Sequence, residues 1–541
     1  MDPALAPRAT HVSTIGVARE VKIGKVLRLG MHWQVVVAMV AGVTIGAVVL
    51  RTDAEPRLEG VRLVAVEGGG VAVESADTAL VRGKIAVADR VVSVDGQAVD
   101  SVAGVGAVLA RVSPGKIVEL RLARDGDELR ALTKVEMSPD SPRASWIAPF
   151  DFVARLFLRL LQMLIVPLIV TSMVAGVLSI GDARSLGRLG LKTGVYYVVT
   201  SLLAILVGLA VVSAIGPGRG AELPLTERVS ADRFAIDENP FGILLRSIPE
   251  NVFESMSENG LILQVIVFSL LFGIFTLRAG GETASVLTRA FQAGFAVMMS
   301  MAEFVLRLVP VGVLALIARV VGLSGFDVFA DLLLLMATVV LAIAIHAFIT
   351  LPLILVVIGR VNPLRWARAV WPALVMGFST SSSSITLPVT MRSVEERGRA
   401  SNRVSSFVLP LGATVNMDGT ALYECVGVIF LAQYYASTGE FELTFGVQLI
   451  VVFTSLLASI GAAGIPSAGL VMMTTILSAL GLPLEGTFLL LAIDRPLDML
   501  RTATNIWSDT TCVAFVARSE GETAIAGAGG APSASSADGS A

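Results

Sequence analysis

The sequence predicts an all-α polytopic membrane protein that carries one small α/β insert. Of the 541 residues, 54% are hydrophobic and 16% are charged, whereas a soluble protein has about 25% charged residues. Long apolar runs recur, and crossing a bilayer takes roughly 20 apolar residues. The runs cover residues 35–50, 156–180, 194–215, 261–277 and 332–358. Polar and glycine-rich breaks interrupt later apolar segments, and non-helical backbone at membrane depth must be buried in protein or line a cavity.

The bulk composition narrows the classes of function. A net charge of -3 gives no sign of a nucleic-acid partner. The two cysteines, Cys425 and Cys512, lie inside apolar segments, which favours packing over a disulfide framework. The chain is polar through Arg28 and lacks a short apolar core before a cleavage site, so we expect no cleaved signal peptide. Residues 1–25 are predicted to be a basic cytoplasmic arm, and residues 26–50 the first transmembrane helix.

Residues 53–140 are soluble in character. Alternating strands are predicted at 61–66, 90–94, 118–123 and 131–135, with a helical patch at 102–111 and Asp-Gly and Pro-Gly turns between them. The segments ADRVVSVDGQAVDS (88–101) and SPGKIVELRLARDGDELRALTKV (113–135) resemble a bacterial PDZ domain. That resemblance implies binding of a peptide or C-terminal carboxylate by strand addition. The best candidate for a carboxylate loop is Leu58-Glu59-Gly60-Val61, and an insert that binds nothing is the alternative.

Loop charges predict the topology. The loops at 1–32, 181–192, 277–289, 359–368 and 392–403 are basic, and those at 217–240, 322–327, 435–444 and 481–486 are acidic or uncharged. Because cytoplasmic loops carry the excess of Lys and Arg, we expect both termini in the cytoplasm and residues 53–140 outside it. This pattern requires eight transmembrane helices and two re-entrant hairpins. After the first helix, the transporter core (146–518) has helices near 147–180, 183–215, 241–279, 284–321, 326–360, 402–435 and 486–518, hairpins near 363–396 and 445–482, and then a disordered tail at 519–541.

Two hairpins from opposite leaflets are typical of an inverted-repeat transporter, because they bring helix ends and free backbone groups to the midplane. Positive half-helix ends suit a carboxylate, and exposed carbonyl groups suit Na⁺. The serine run at 381–384 supplies hydroxyl and amide groups in the first hairpin. Residues 459–464 supply backbone next to small side chains in the second hairpin.

The last predicted helix is unusually polar for a membrane segment. Asp494, Asp498, Arg501, Asn505 and Asp509 recur every three or four residues and therefore share one helical face. An ionised side chain at mid-bilayer costs on the order of 3 kcal/mol or more, so packing alone does not explain this stripe. We expect Arg501 to bind a substrate carboxylate, Asp498 an ammonium group and Asp509 a cation. A salt-bridge ladder between Asp498 and Arg501 is the alternative.

Four motifs carry a family resemblance. They are TLPVTMR (386–392), LPLGATVNMDGTALYE (409–424), SIGAAGIPSAG (459–469) and DRPLDMLRTATNIWSD (494–509). In this order they closely resemble the glutamate/aspartate transporters of the dicarboxylate/amino acid:cation symporter family. The resemblance implies a symporter, not an enzyme, that imports an acidic amino acid with Na⁺ as coupling ion and no other cofactor. It further implies a homotrimer in the cell (inner) membrane, with a transport domain that moves as an elevator against a scaffold.

The same resemblance assigns roles to single residues. The substrate site would comprise Arg501 and Thr420 on the side-chain carboxylate, Asp498 on the amino group, Asn505 with Ser382 and Ser383 on the α-carboxylate, and Ile465 and Gly469 as a cover, with Asp494 as an additional residue. The first sodium ion would lie among Gly412, Asn416, Asn505 and Asp509. The second would lie among Thr414, Ser459, Ile460 and Ala462, and the third among Tyr197, Thr200, Ser201, Asn416 and Asp418.

Departures from the family pattern bear on the coupling ions. The family often carries a second arginine, either in the serine run of the first hairpin or two residues before the arginine of the last helix. Here these two positions are Ser381 and Met499, and Arg495 could substitute only if it points inward. Glu424 follows a tyrosine, as in the animal carriers, and a buried glutamate could carry a proton. We therefore expect H⁺ co-transport, with K⁺ counter-transport left open. The alternative is that Glu424 pairs with a neighbour such as Arg501.

Other functions stay open at this point. A C4-dicarboxylate or a neutral amino acid could replace the acidic substrate, and a receptor could use the PDZ-like insert as a sensor. A zinc intramembrane protease needs a His-Glu-x-x-His pair, which a chain with only His11, His32 and His346 lacks. A serine protease needs a base beside its nucleophile, and no Gly-x-Ser-x-Gly frame surrounds the serine run. We interpret His346 as a hydrogen-bonded packing residue rather than a proton relay.

Overall fold

The computed structural model describes the chain between residues 31 and 527, with internal gaps. The described residues are 31–66, 69–77, 80–112, 114, 116–124, 126–181, 187–221, 223, 248–257, 262–326, 328–439, 441–461 and 468–527. The arm predicted at 1–25 and most of the acidic loop predicted at 217–240 therefore lie outside the described residues. Strands are confined to residues 56–137 of the described chain, and most of the remainder is helical.

The insert is an antiparallel sheet with one short helix. Neighbouring strands pair in the order β1-β8-β7-β5-β3-β2, while β4 pairs with β8 and β6 with β5. Alternate residues such as Val94, Val118 and Leu120 are fully buried and form its core, as the period of two in a strand requires. The strands are β1 (Pro56–Leu58), β2 (Val61–Ala65), β3 (Val71–Ala76), β4 (Arg82–Gly83), β5 (Arg90–Val94), β6 (Gln97–Ala98), β7 (Ile117–Arg124) and β8 (Asp127–Met137), and the helix is α2 (Val102–Leu109).

A buried carboxylate holds one loop of the insert onto the sheet. Asp89 is 2% exposed. It accepts hydrogen bonds from Arg124 Nε at 2.6 Å and Nη2 at 2.8 Å, and from the amide of Ala86 at 2.7 Å. The hydrogen bonds from the Arg124 guanidinium hold the pKa of Asp89 below its usual value. Asp89 is therefore a charged anchor between the segment before β5 and the end of β7.

The insert rests on the ends of three helices. It follows α1 (Met31–Val49) and runs directly into α3 (Pro142–Gly181). Arg143, at the start of α3, donates to the carbonyl oxygens of Leu50 at 2.6 Å and Thr52 at 2.9 Å. Met137 packs against a small cluster formed by Val49, Ile147 and Leu323. The sheet is thereby fixed to the helical part at both of its connections.

The remaining helices form the membrane part. Helix α9 runs through two π-helical turns, His346–Thr350 and Leu355–Gly359, so that Val328–Gly359 is one continuous candidate span. The helices are α4 (Gly187–Ile215), α5 (Val252–Ser257), α6 (Ile262–Ala279), α7 (Gly281–Leu306), α8 (Val309–Ser324), α9 (Val328–Ile345 and its continuation), α10 (Pro363–Thr380), α11 (Ser383–Arg392), α12 (Asn402–Val415), α13 (Asp418–Ser437), α14 (Phe445–Gly461), α15 (Ala468–Ala479) and α16 (Gly486–Ser519).

Several of these helices are long and apolar enough to cross a membrane. Four qualify within the described residues: Pro142–Leu178, Arg188–Ile215, Val328–Gly359 and Asn402–Ser437. Helices α7 and α8 qualify together as a pair bent by 49°, and Trp33–Val49, Gln264–Ala279 and Phe445–Ser459 are shorter apolar helices. The chain is thus a mostly helical, multi-pass membrane protein with a small strand-rich domain, whereas the count of eight spans stays a prediction.

Broken helices lie where the hairpins are predicted. Helices α10 and α11 meet at Ser381, which adopts a left-handed backbone conformation (φ 52°, ψ 35°). Gly377 of α10 lies so close to α16 that a Cβ atom there would be 2.2 Å from Ile506 Cδ1. Helices α14 and α15 flank residues 462–467, which are outside the described residues. The first break therefore sits against the helix that carries the polar stripe.

Residues 520–527, here called the C-terminal strap, correct one expectation. We predicted a disordered tail from residue 519 because of its Gly, Ala and Ser content. In the structure Glu520 instead bonds Lys192 at 2.7 Å and Arg188 at 2.8 Å on α4. The hydrogen bonds from Arg188 and Lys192 lower the pKa of Glu520 to about 2. The strap thus begins with an ion-paired carboxylate, which composition alone does not reveal.

The rest of the strap packs along the loops that flank the first hairpin. Ile525 is 3% exposed and belongs to a core cluster with Trp366 and Val394. The amide of Ser401 donates to Glu522 Oε2 at 3.0 Å. Backbone hydrogen bonds of 2.9 Å run from Ala526 N to Gly398 O and from Asn362 N to Gly527 O. Residues 528–541 of the predicted tail lie outside the described residues.

Candidate substrate and cation site

The polar residues of α16 form one buried face. Asp494, Asp498, Arg501, Asn505 and Asp509 are between 0% and 5% exposed. Helices α9, α10, α12, α13 and α15 all pack on α16. Charged groups buried in this way need partners or a bound ligand. The face is therefore an interior site rather than a solvated stripe.

Arg501 is the central cation of this face. Its Nη2 donates to Asp494 Oδ1 at 2.8 Å and to Asp498 Oδ1 at 2.9 Å. This arrangement is the alternative salt-bridge ladder between Asp498 and Arg501, with Asp494 as a second acid. However, Nε and Nη1 of the same guanidinium have no hydrogen-bond partner among the described residues. A buried N–H group without an acceptor is costly. These two nitrogens therefore favour the binding of a ligand that supplies a further acceptor. Arg495 reaches Asp498 only at 3.5 Å.

Glycines allow backbone to approach Arg501 closely. A Cβ atom on Gly469, at the start of α15, would lie 2.7 Å from Arg501 Nη1 and 3.1 Å from Thr420 Cγ2. A Cβ atom on Gly419 would lie 2.8 Å from the carbonyl oxygen of Arg501. The structure thus brings Gly469, Thr420 and Arg501 together. Ile465, the other cover residue that we predicted, lies outside the described residues.

A break between α12 and α13 runs beside this face. Asn416 (φ −98°, ψ 97°) and Met417 (φ −122°, ψ 51°) are not helical. Asn505 of α16 accepts from the amide of Gly419 at 2.7 Å, and its Nδ2 is 3.3 Å from Thr420 Oγ1. Asn505 therefore ties the broken segment to the substrate face.

Two of the residues predicted for the first cation, Gly412 and Asn416, lie beside a third, Asp509. Asn416 Nδ2 donates to Asp509 Oδ1 at 2.9 Å. A Cβ atom on Gly412 would lie 2.3 Å from Asp509 Oδ1 and 2.5 Å from Tyr197 Oη. Asn416 Oδ1 is buried and has no partner within the described part of the chain. Carboxylate, amide and carbonyl oxygens are the ligands that hard cations prefer, so this cluster suits such an ion.

Asp418 is the centre of a second polar cluster. Ser201 Oγ donates to its Oδ1 at 2.7 Å, and Ser508 Oγ donates to its Oδ2 at 2.6 Å. His346 Nε2 lies 3.2 Å from the same Oδ2. Of the residues predicted for the third cation, Ser201 and Asp418 are in contact, whereas Thr200 donates back to Tyr196 O of its own helix at 3.1 Å. His346 is hydrogen-bonded, as we expected, but its partner is a predicted site residue.

The residues predicted for the second cation are not joined in the described structure. Thr414 donates to Leu411 O at 3.1 Å within α12, and Ser459 donates to Leu456 O at 2.9 Å within α14. Ala462 lies outside the described residues, as does the side chain of Ile460. This set of ligands therefore stays a prediction.

The serines of the first hairpin form a helix start. Ser382 Oγ accepts from the amide of Ile385 at 3.3 Å and so caps α11. Ser382 and Ser383 are 2% and 4% exposed. The N-terminal end of a helix offers amide groups and positive potential to an anion. No hydrogen bond between described residues links these serines to Arg501 or Asn505.

Glu424 is fully buried on α13, next to Tyr423. Neither of its carboxylate oxygens has a hydrogen-bond partner in the described residues. The alternative pairing of Glu424 with Arg501 is therefore not found here. An ionised carboxylate without a partner is costly to bury, and a bound proton would remove that cost.

The sequence of residues 101–519 matches a family model for the sodium:dicarboxylate symporter family. The chain belongs to that family. Its members are transporters, which confirms the expectation of a symporter that is not an enzyme and supports Na⁺ as the coupling ion. A PDZ domain model matches residues 57–135, so the resemblance of the insert is confirmed as well.

Curated relatives of this symporter family align over most of their length. Excitatory amino acid transporter 3 of Oryctolagus cuniculus is 34% identical over 66% of this chain and 77% of its own length. Excitatory amino acid transporter 1 of Ambystoma tigrinum is 34% identical over 67% of this chain and 75% of its own. A putative sodium-dependent excitatory amino acid transporter of Caenorhabditis elegans is 34% identical over 70% and 85%.

Sequence reasoning missed two contacts in this symporter. Ser508 and His346 both bond Asp418, and neither was predicted as a site residue. Ser508 lies three residues after Asn505 on α16, so the helical period could have suggested it. His346 comes from a helix 72 residues earlier than Asp418, and no local pattern connects the two.

Proposed function

We propose that the chain imports an acidic amino acid, glutamate or aspartate, together with Na⁺. The observation that carries this proposal is Arg501, which is fully buried while its Nε and Nη1 lack a partner among the described residues. A substrate carboxylate could accept from this guanidinium in a charge-assisted hydrogen bond. The three relatives named above are excitatory amino acid transporters by name, which supports the same substrate class.

Substrate binding would redistribute the charges around Arg501. Without a ligand, Asp494 and Asp498 share its Nη2. A substrate side-chain carboxylate would bind to Arg501 with Thr420, while Asp498 would receive the substrate ammonium group. The α-carboxylate would lie between Asn505 and the start of α11, at Ser382 and Ser383, with Gly469 and Ile465 covering the substrate. An amino acid with an acidic side chain would place its ammonium group at Asp498, whereas a C4-dicarboxylate has no ammonium group to offer this carboxylate.

Cations would bind next to this substrate and share residues with it. The first would use Gly412, Asn416, Asn505 and Asp509, and Asn505 also contacts Thr420 of the substrate site. The second would use Thr414 with Ser459, Ile460 and Ala462. The third would use Tyr197, Thr200, Ser201, Asn416 and Asp418. Since the shared residues would be ordered by either ligand, binding of one would favour binding of the other. Glu424 would carry a proton.

The architecture that we propose is an inverted-repeat elevator. It has eight transmembrane helices, two re-entrant hairpins near 363–396 and 445–482, and three copies in the assembly. The protein would lie in the inner membrane with both termini in the cytoplasm. Residues 53–140 would then lie on the extracytoplasmic side. The left-handed break at Ser381 and the non-helical Asn416 support this proposal, because unwound backbone in a transporter lines the binding site. The insert would bind a peptide or a C-terminus at β2, the last strand in the order of the described sheet.

Uptake into proteoliposomes tests the proposal. We expect labelled aspartate to accumulate with an inward Na⁺ gradient and not with an equal concentration of Na⁺ on both sides. In a panel of acidic, neutral and dicarboxylic competitors, glutamate and aspartate should inhibit uptake at the lowest concentrations. Strong inhibition by succinate alone would favour the dicarboxylate alternative. Aspartate binding without any uptake would favour the receptor, and the absence of both would refute the proposal.

A further inference from the structure

A buried arginine outside the proposed site joins three parts of the molecule. Arg319 of α8 is 8% exposed. Its Nε lies 2.8 Å from Asp151 Oδ1 on α3, and its Nη2 lies 2.8 Å from Glu485 Oε1. Glu485 directly precedes α16 and its side chain is 5% exposed. One guanidinium therefore links α3, α8 and the first turn of the helix that carries the substrate face.

The two ion pairs differ in their surroundings. Asp151 has a second cation, Arg155, at 2.8 Å, and its side chain is 24% exposed. Glu485 is almost fully buried, so its charge depends more strongly on its partners than the charge of Asp151 does. If Glu485 moved away, Asp151 would still neutralise Arg319. The cluster is thus built so that the Glu485 contact can open without leaving Arg319 unpaired.

A water-accessible space adjoins this cluster. A cavity of about 430 Å³ lies between the insert and the helices, and Asp151, Arg155 and Arg319 line it together with Lys134 and Glu136 of the insert. Water held in this cavity by its charged lining side chains could solvate Arg319 once Glu485 has left. Opening the pair would then cost less than the separation of two charges in an apolar interior.

We propose that the Arg319–Glu485 ion pair is a conformational lock that holds α16 against α3 and α8 in the conformation seen here. The inference rests on the proposed transport function, since a carrier must expose its binding site to each side of the membrane in turn. The substrate face is part of α16, and any movement of the start of α16 relative to α8 stretches this pair. The pair must therefore break and re-form in each transport cycle.

Distance measurements on the full-length protein in nanodiscs test the lock. Nitroxide labels would be placed at Val48→Cys on α1 and Leu364→Cys on α10, because both side chains are well exposed. The native cysteines are buried and should not react. Labelled protein is diluted with unlabelled protein so that only distances within one chain are read by electron double resonance. The compared variants are Glu485→Gln and, as a matched control, Asp151→Asn.

We expect two distances without substrate, and we expect Glu485→Gln to change the ratio of their populations at least fivefold away from the conformation described here. Asp151→Asn should change it less than twofold, because the Arg319–Glu485 pair remains. Glu485→Asp, whose side chain is too short to reach, should act like Glu485→Gln and serves as the second variant if the first does not fold. An unchanged ratio, a single common distance or equal effects of both neutral variants would overturn the lock.

Sodium-driven aspartate uptake by the unmodified protein is measured on the same purified protein after it is reconstituted into proteoliposomes. If the unmodified protein takes up aspartate but the distance ratio in Glu485→Gln is unchanged, the lock is overturned and the proposed function stands. No uptake, combined with the expected change in distances, would refute the proposed function and leave a conformational role for this pair.

Discussion

The guanidinium carbon of Arg501 lies 4.0 Å from the centroid of the Tyr423 ring. Arg501 is thus held from two directions: the ring lies against its face, and Asp494 and Asp498 accept from its Nη2 edge. A cation next to an aromatic face gains about 2 kcal/mol when the pair is desolvated. Tyr423 therefore orients the planar group before any substrate binds.

Arg501→Lys should weaken aspartate binding at least about 100-fold, which corresponds to roughly 3 kcal/mol for a charge-assisted hydrogen bond. Lysine keeps the charge but lacks the planar group that can stack and donate from several nitrogens. Isothermal titration of the purified protein in saturating Na⁺ measures this. Arg495→Lys is the matched control, because Arg495 lies on the same helix but approaches Asp498 only to 3.5 Å. Equal losses in both variants would contradict the role of Arg501.

Tyr423→Leu should weaken aspartate binding about 30-fold, since loss of the ring removes roughly 2 kcal/mol of stabilisation from the buried arginine. Tyr423→Phe keeps the ring and should bind within about twofold of the unmodified protein. The same titration distinguishes them. If the phenylalanine variant loses as much affinity as the leucine variant, the hydroxyl group and not the ring face orients Arg501.

Gly412→Ala should raise the Na⁺ concentration needed for half-maximal uptake at least about tenfold. The added Cβ would lie 2.3 Å from Asp509 Oδ1 and must displace that carboxylate. A tenfold change corresponds to about 1.4 kcal/mol. Gly194→Ala on α4 is the matched control, because nothing lies within 4 Å of the added atom. Uptake is measured over a range of Na⁺ concentrations. An unchanged Na⁺ dependence would contradict the placement of Gly412 in the cation site.

Glu424→Gln should abolish the movement of protons with the substrate while binding of aspartate is retained. Glutamine has a similar shape but cannot exchange a proton. Aspartate uptake is measured together with the internal pH of the proteoliposomes, which should fall during uptake by the unmodified protein. Glu282→Gln, at an exposed position on α7, is the control. Acidification that persists in Glu424→Gln would assign the proton to another group.

Asp89→Asn should destabilise the insert by about 2 kcal/mol, because it removes the charge that accepts two hydrogen bonds from Arg124. Hydrogen exchange of β5 and β7 in the full chain measures the free energy of opening. Since the folded pKa of Asp89 is lowered, its contribution is complete above the unfolded value near 4 and is lost as pH falls below it. Glu136→Gln, in an exposed pair with Arg57, should cost less than about 0.5 kcal/mol. Equal costs would contradict the anchor.

Local patterns predicted much of the fold and of the site. The spacing of Asp494, Arg501 and Asp509 predicted a shared face, and all three are buried on it. The polar motif at 409–424 predicted a broken helix, and Asn416 is not helical. These predictions succeed because helix period and backbone hydrogen bonding are set by residues close in sequence.

Contacts between distant helices could not be predicted in this way. Arg319 and Glu485 are 166 residues apart, and His346 and Asp418 are 72 apart. Each pair depends on how helices pack, and a single charged residue in an apolar segment does not specify its partner. The C-terminal strap was missed for the same reason, since the contacts of Glu520 are formed with residues on α4.

The C-terminal strap has a practical consequence for handling the protein. A reporter or affinity tag fused directly after α16 would replace Ile525 and the hydrogen bond between Asn362 and Gly527. Such a fusion would loosen the loops that flank the first hairpin and could be mistaken for an intrinsic defect in transport. Tags placed after Gly527 keep these contacts, so expression vectors for this transporter should retain the chain at least to that residue.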